Sequence, residues 1–163
     1  MGVNEFVTGH FNGIINIWDL TTLAVKIENS VGHSEKVYAL IKYQYEICAF
    51  FSCSYDKNLY LWSYKNNRLN ILYKYTFVGT YPSNILAIPD TYTLLLGNLD
   101  GTISIFYQNT LELIYHSKVV DKSYFEMNSE SNIKWKIYNI SKINTEYSLA
   151  FITDNDNNIY LLK

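Results

Sequence analysis

Short apolar segments alternate with polar turns along the chain, and this pattern predicts β-strands. The stretch Gly32–Trp62 shows it most clearly. Two apolar segments, Val37–Ile41 and Ile47–Phe51, are followed by the more polar Ser52–Lys57. The next segment, Asn58–Trp62, alternates polar with apolar residues until its last two positions. Three strands separated by turns are the simplest interpretation of this stretch.

The same pattern recurs at a fixed period. Segments close on an aromatic residue at three positions spaced 44 residues apart: Trp18, Trp62 and Phe106. Six residues before each of them stands a residue with a side-chain carbonyl group: Asn12, Asp56 and Asp100. A fourth copy keeps this offset between Asp156 and Leu162, but follows after 56 residues. A period in the forties built from short strands is typical of propeller blades.

Two dipeptides connect this repeat to a known family. Gly32-His33 matches the Gly-His motif of the WD40 repeat family, and Trp18-Asp19 matches its Trp-Asp motif. The chain therefore resembles WD40 proteins over nearly its whole length. Gly9-His10 falls just before the turn at Asn12, where the family has small residues, so we do not interpret it as the family's Gly-His. The resemblance implies an all-β fold of about four β-propeller blades.

We expect one WD40-like domain over residues 1–163, with the first and last blades incomplete. The expected blades cover about 4–31, 32–78, 79–120 and 133–163, and a polar insertion occupies 121–132. Strands in the order three, four, four and three resemble the C-terminal half of a seven- or eight-bladed propeller. Such an open or partial propeller leaves unpaired edges, so we expect self-association or a separate N-terminal half.

The resemblance further implies a hydrogen-bonded network in the second blade, formed by His33, either Ser52 or Ser54, Asp56 and Trp62. A buried carboxylate needs donors, and turn amides with an imidazole or a hydroxyl supply them. Trp adds a large apolar body with one N–H to satisfy. Trp18 and Asp100 keep the corresponding positions in the first and third blades, but each of the other copies departs elsewhere. The first blade has Asn12 for Asp, the third ends in Phe106 and has Thr80 near where a His might stand, and the fourth ends in Leu162. We therefore expect the full network in the second blade alone.

One position in each repeat is a candidate for partner binding. The residue before each turn Asn or Asp is Phe11, Tyr55, Leu99 or Asn155. In the WD40 family this position commonly points from the top face toward partners, and aromatic residues are enriched at binding hot spots. The alternative is that these side chains pack against neighbouring loops. In the insertion, Tyr124 and Phe125 suggest a segment that orders on binding, or else a tolerated insertion.

Composition excludes several classes of partner. The net charge of −2 and a pI near 5.9 argue against a nucleic-acid or anionic-membrane footprint. Cys48 and Cys53 are the two cysteines, too few for a metal site, and free thiols suit an intracellular compartment, cytoplasmic or nuclear. No apolar run is long enough to span a membrane, and the first residues are no signal peptide.

The function expected from these features is a non-catalytic scaffold that binds other proteins or peptides within an intracellular complex. His33, Ser54 and Asp56 superficially resemble a nucleophilic triad, but the repeat explains them structurally. The chain has no nucleophile elbow, phosphate-binding loop or metal-ligand spacing. We therefore expect no catalytic, cofactor-binding or metal-binding residues. Two alternatives remain open: a propeller-type hydrolase with a central-channel site, and a non-functional fragment of a larger WD40 protein.

Overall fold

A computed structural model describes residues 4–88, 91–118, 137–142, 149–153 and 159–162. These residues form 14 β-strands and no helix. Accordingly, they hold no helix long and apolar enough to cross a membrane. The strands are β1 Glu5–Gly9, β2 Ile15–Asp19, β3 Val25–Asn29, β4 Val37–Lys42, β5 Ala49–Ser54, β6 Asn58–Lys65, β7 Arg68–Thr76, β8 Pro82–Ile88, β9 Thr93–Asn98, β10 Thr102–Tyr107, β11 Leu113–Lys118, β12 Ile137–Lys142, β13 Leu149–Thr153 and β14 Ile159–Leu162.

The strands pair in chain order into antiparallel meanders. Within the described residues there are four sheets: β1–β3, β4–β7, β8–β11 and β12–β14, which we call blades 1 to 4. Each blade contacts the next along the chain, and the four do not close into a ring. Blades 1 to 4 contain three, four, four and three strands, as the sequence predicts.

The last strand but one of blades 1 to 3, which is β2, β6 or β10, carries the same irregularity. Its pairing with the outer strand shifts register immediately before the closing aromatic residue: Trp18, Trp62 and Phe106. Each shift is a β-bulge, which bends the ladder and re-aims the neighbouring side chains. The 44-residue sequence period is therefore also a period in backbone geometry.

Apolar side chains fill the spaces between adjacent blades. One cluster joins blades 2 and 3, with Phe51, Leu61, Leu94 and Phe106 among its fully buried members. A second cluster joins blades 1 and 2: Ile15, Val37, Phe50, Tyr60 and Trp62. Strand β5 is buried along its whole length because both of its faces meet a neighbouring blade. This explains its nearly continuous apolar sequence.

Two strand boundaries depart from the local sequence pattern. Strand β8 starts at Pro82, which pairs with Asn98. Proline is tolerated at the first position of a strand, where its missing N–H costs little. Strand β5 runs to Ser54, so it includes two serines of the more polar segment that follows Phe51. The insertion 121–132, with Tyr124 and Phe125, and the candidate Asn155 lie outside the described residues.

Glycines allow unusually close approaches around blade 2. A Cβ on Gly9 would lie 2.5 Å from Val37 Cγ1, across the boundary between blades 1 and 2. A Cβ on Gly13 would overlap the backbone carbonyl of His33. Gly32 has φ +146° and lies against the ring of Trp62, where a Cβ would also overlap. Glycine is therefore required by contact at all three positions, and at Gly13 and Gly32 by backbone conformation as well.

We predict that Gly32→Ala destabilises the protein by about 2–3 kcal/mol, since the added methyl must displace the buried Trp62 ring. Gly79→Ala is the matched control, because Gly79 also has positive φ (+79°) but a Cβ added there would meet no atom within 4 Å. It adds backbone strain without overlap. Urea unfolding measures both variants. Equal losses in the two would show that the Trp62 contact adds nothing at Gly32.

Candidate functional site

The turns that precede β2, β6 and β10 in blades 1 to 3 are built alike. In each, a side-chain oxygen accepts a hydrogen bond from the backbone N–H two residues later. The pairs are Asn12–Ile14 at 3.3 Å, Asp56–Asn58 at 2.9 Å and Asp100–Thr102 at 3.1 Å. The residue between them has positive φ: Gly13, Lys57 and Gly101. This is an Asx turn, so the periodic Asn and Asp residues fix turns.

A continuous side-chain network lies behind the turn of blade 2. His33 Nδ1 lies 2.9 Å from Asp56 Oδ2, and His33 Nε2 lies 2.7 Å from Ser52 Oγ. The indole Nε1 of Trp62 donates to the same Ser52 oxygen at 2.7 Å. The carboxylate fixes a proton on Nδ1, which leaves Nε2 to meet the hydroxyl. The structure thus brings four of the sequence-predicted residues into one contact chain.

Ser54 has a different set of partners. Its hydroxyl donates to the carbonyl oxygen of Glu35 at 2.9 Å and accepts from the backbone N–H of Asp56 at 3.1 Å. Of the two serines that the sequence left open, Ser52 therefore contacts His33 and Trp62. Ser54 joins the turn to the loop that enters blade 2.

Blade 1 contains a shorter chain of the same kind. Trp18 Nε1 donates to Thr8 Oγ1 at 2.8 Å, and His10 Nε2 lies 3.0 Å from that oxygen. Sequence reasoning set His10 aside because its position does not match the family's Gly-His. The signal that could have found this chain was the spacing, since Thr8 stands 44 residues before Ser52 as Trp18 does before Trp62.

Blade 3 uses yet another arrangement. Asp100 Oδ1 accepts from the Thr102 hydroxyl at 2.6 Å and contacts no histidine. The buried amide of Asn98 donates to Thr102 and to Ser104, each at 2.9 Å. Ser104 in turn lies 2.9 Å from Nδ1 of His116 on the outer strand β11. Phe106, which has no N–H, contributes apolar packing only.

The exposed end of these turns carries a row of aromatic and cationic side chains. Tyr55 stacks on Tyr81 of blade 3, with centroids 4.4 Å apart, and meets Tyr38 edge-on at 6.1 Å. Lys36 Nζ lies 4.8 Å from the Tyr38 centroid, and Lys57 Nζ lies 4.9 Å from that of Tyr81. The ring centroid of Phe11 lies 5.9 Å from Lys36 Nζ. We call these six residues the aromatic stripe: Phe11, Lys36, Tyr38, Tyr55, Lys57 and Tyr81.

The sequence-predicted candidates occupy different places relative to this stripe. Phe11 is 80% exposed and Tyr55 is 43% exposed, although Tyr55 also packs against a neighbouring blade. Leu99 is only half-buried at the margin, and its N–H donates to the carbonyl of Tyr81 at 2.9 Å. Sequence reasoning missed Tyr38 and Tyr81, because the segments that carry them show no periodic signal.

The chemistry available in these groups is limited. The Ser52 hydroxyl is 0% exposed and is shared between His33 and Trp62, so no substrate reaches it. Burial raises the pKa of the Cys53 thiol, which disfavours the reactive thiolate. Among the described residues, no cluster of His, Cys, Asp and Glu has the geometry to hold a metal ion.

Burial opposes ionisation of the Asp56 carboxyl, but other interactions outweigh it. The hydrogen bond and the charge of His33, with the backbone N–H groups of Asn58 and Ser34, lower the pKa of Asp56 to about 2. The carboxylate is therefore ionised in the folded protein at neutral pH and stabilises the fold there.

Solved structures share this architecture. The WD40 β-propeller domain of Doa1 has a TM-score of 0.75 at 17% identity, covering 97% of this chain and 46% of that one. The computationally designed proteins Ika4 and Ika8 have TM-scores of 0.68 and 0.69 at 17% and 16% identity. They are matched over 99% of this chain, and over 86% of Ika4 and 43% of Ika8. The sequence matches no family model and no curated protein.

The chain has a β-propeller fold. The predicted fold class is therefore confirmed, with four consecutive blades over the described residues. This chain spans less than half the length of the Doa1 domain and of Ika8. At such identities the likeness establishes the propeller fold alone, and membership of the WD40 family stays a prediction.

We predict that Trp62→Ala destabilises the propeller by about 3–5 kcal/mol, because it removes the largest fully buried side chain and leaves Ser52 without its donor. Trp18→Ala is the comparison, since Trp18 is only half-buried and its loss should be smaller. Thermal and urea unfolding measure both. A larger loss for Trp18→Ala would contradict the central role of blade 2.

We predict that the stability advantage of the wild type over Asp56→Asn shrinks by about 2 kcal/mol between about pH 5 and pH 2. The ordinary pKa of this carboxyl is 3.8 and its folded value is about 2. Its stabilisation is thus complete above the unfolded pKa and is lost as the pH falls through the folded pKa.

Asp19→Asn is the control for this pH series, because the Asp19 carboxylate caps an exposed turn through the N–H groups of Thr21 and Thr22. Its pKa is also lowered, first by those two backbone hydrogen bonds, and its pH dependence should be weaker. Urea unfolding across the series gives the free energies. A wild-type advantage over Asp56→Asn that stays constant with pH would exclude the ionised Asp56–His33 contact.

Proposed function

We propose that this chain is a non-catalytic, WD40-type scaffold that binds other proteins or peptides through the aromatic stripe, within an intracellular complex. The observation that carries the proposal is the continuity of the stripe. Its contacts run from Phe11 in blade 1 through Tyr55 in blade 2 to Tyr81 in blade 3. One extended segment of a partner can therefore touch three blades at once.

The composition of the stripe suits protein recognition. Tyr side chains offer large rigid contact areas with a polar tip, and they lose little conformational entropy when they bind. The stacking between Tyr55 and Tyr81 holds both rings in place before any partner arrives. Phe11 projects almost free of the protein surface and supplies an apolar anchor.

Two features disfavour the hydrolase alternative. Two serines in the described residues contact a histidine, Ser52 and Ser104, and both are 0% exposed. Each hydroxyl is committed to a second partner, Trp62 or Asn98. A catalytic serine needs a free approach for its substrate and an oxyanion site within reach. The intracellular location, and self-association or a separate N-terminal half, are further parts of this proposal.

We predict that Phe11→Ala combined with Tyr55→Ala abolishes peptide binding while leaving the overall fold intact. The matched control is Tyr45→Ala at the opposite end of blade 2. Tyr45 is 41% exposed and stacks on Tyr92 of blade 3 at 4.2 Å, so it loses a similar contact. Peptides selected from a random display library on the wild type should bind Tyr45→Ala normally and should fail to bind the double variant.

Melting temperatures separate binding from folding in this experiment. Tyr55→Ala and Tyr45→Ala should lower the melting temperature by similar amounts, because each removes one stacked ring pair. If the double variant binds the selected peptides as the wild type does, the stripe is not the binding surface. If both variants lose binding together with stability, these rings have a structural role.

A further inference from the structure

We propose that the aromatic stripe recognises an acidic peptide segment, whose carboxylates are bound by Lys36 and Lys57. This rests on the proposed function and adds the chemical class of the partner. Three observations support it. Lys36 and Lys57 form no ion pair within the described residues. Lys57 has a positive φ, and the two ammonium groups lie over tyrosine rings.

In the part of the chain that the structure describes, the two lysines of the stripe have no acidic partner. Within the described residues, Lys26 pairs with Glu5 and Lys65 pairs with Glu46, whereas Lys36 and Lys57 form no ion pair. Their ammonium groups lie instead over the rings of Tyr38 and Tyr81. A cation–π contact holds the ammonium in place without neutralising it. Both charges therefore remain available to a carboxylate.

The acidic side chains beside these lysines in sequence do not compete for them. Asp56, between Tyr55 and Lys57, turns inward and is bound by His33 and by the N–H groups of Ser34 and Asn58. Glu35 precedes Lys36 and forms no ion pair within the described residues.

Lys57 occupies a position where blades 1 and 3 have glycine. Its φ is +68°, and the equivalent residues Gly13 and Gly101 have φ of +84° and +79°. A residue with a Cβ pays a conformational penalty in this region, and glycine does not. Of the three turns described, only the turn of blade 2 therefore lacks glycine, the residue that adopts this conformation most readily. A lysine here adds a side chain that glycine lacks, and its ammonium group lies over the ring of Tyr81.

The lysines of the stripe lie over its tyrosine rings. One face of Tyr55 is stacked on Tyr81, while Lys57 lies over Tyr81 and Lys36 over Tyr38. The face of an aromatic ring is its negative part, so these contacts hold the two ammonium groups in place. Tyr55 remains 43% exposed beside them. Two ammonium groups held next to an exposed tyrosine favour an anion.

A peptide fits these features better than a nucleic acid. Binding single-stranded nucleic acid requires bare aromatic faces on which bases stack and a cationic track along the backbone. Here the tyrosine faces are used by one another and by lysines, and the stripe holds two cations. The net charge of −2 does not provide the wider basic field that phosphate chains need.

The test uses the whole chain and three fluorescein-labelled peptides of about twelve residues, long enough to span three blades. The acidic peptide alternates Glu and Asp with Ser and carries one central Leu. The second replaces each acid by its amide, and the third replaces each acid by Lys. An oligothymidine of similar length is included. Fluorescence anisotropy then gives the affinity of each probe as the salt concentration rises.

We predict that the acidic peptide binds about tenfold more tightly than its amide counterpart, and that rising salt removes this difference. Lys36→Gln combined with Lys57→Gln should also remove it. Lys42→Gln is the matched control, because Lys42 is exposed, forms no ion pair within the described residues and lies outside the stripe. It should leave the preference for the acidic peptide unchanged.

Lys57→Gly makes the turn like those of blades 1 and 3. It should not lower the melting temperature, because glycine relieves the strained backbone, yet it should weaken binding of the acidic peptide. Loss of binding without loss of stability separates recognition from folding at this residue.

Several outcomes would overturn the proposal. These are equal binding of the acidic and amide peptides, absence of binding by the acidic peptide, or undiminished preference in the double lysine variant. Lysine-dependent binding of the oligothymidine alone would assign the stripe to nucleic acid. If library-selected peptides still require Phe11 and Tyr55 but not the lysines, the proposed function stands and the acidic partner is wrong.

Discussion

The Ser52 hydroxyl is the junction on which blade 2 depends. It accepts from the indole of Trp62 and contacts the imidazole of His33, which in turn contacts Asp56. These four residues come from the second and third strands, from the turn between them and from the loop that enters the blade. Because all are buried, removal of one leaves another polar group without a partner. We therefore expect blade 2 to fold cooperatively. The same network fixes the position of the exposed turn.

Blades 1 to 3 resemble one another more in backbone geometry than in side-chain contacts. Each turn is closed by an Asn or Asp side chain, and each outer-strand ladder bulges near the closing aromatic residue. The imidazole that reaches the inner hydroxyl differs, from His10 in the turn of blade 1 to His116 on the outer strand of blade 3. What the repeat preserves in blades 1 to 3 is the turn that follows Phe11, Tyr55 and Leu99, while the exposure of these three side chains differs.

The sequence was sufficient for the features that recur with its period. Strand order, the turns and the grouping of His33, Asp56 and Trp62 all followed from alternation, a 44-residue spacing and a family resemblance. Choosing between Ser52 and Ser54 required the structure, because residues two apart share one face of a strand and differ only in their distance from the turn. The stacking of Tyr55 on Tyr81 could not be predicted from the sequence either, because contacts between blades depend on the angle between their sheets. Proline at the start of β8 shows that a proline in the sequence marks the end of a strand only approximately. The pairing with the neighbouring strand defines where the strand begins.

The turn of blade 1 rests on the loop that enters blade 2, with Gly13 placed against the carbonyls of His33 and Glu35. No side chain separates the two backbones there, so a change in one segment has to be matched by a change in the other. Substitutions in this chain should therefore co-vary across the blade boundary, between the end of one repeat's turn and the start of the next repeat. The junction between two blades, more than the single blade, is then the unit within which substitutions have to be compatible.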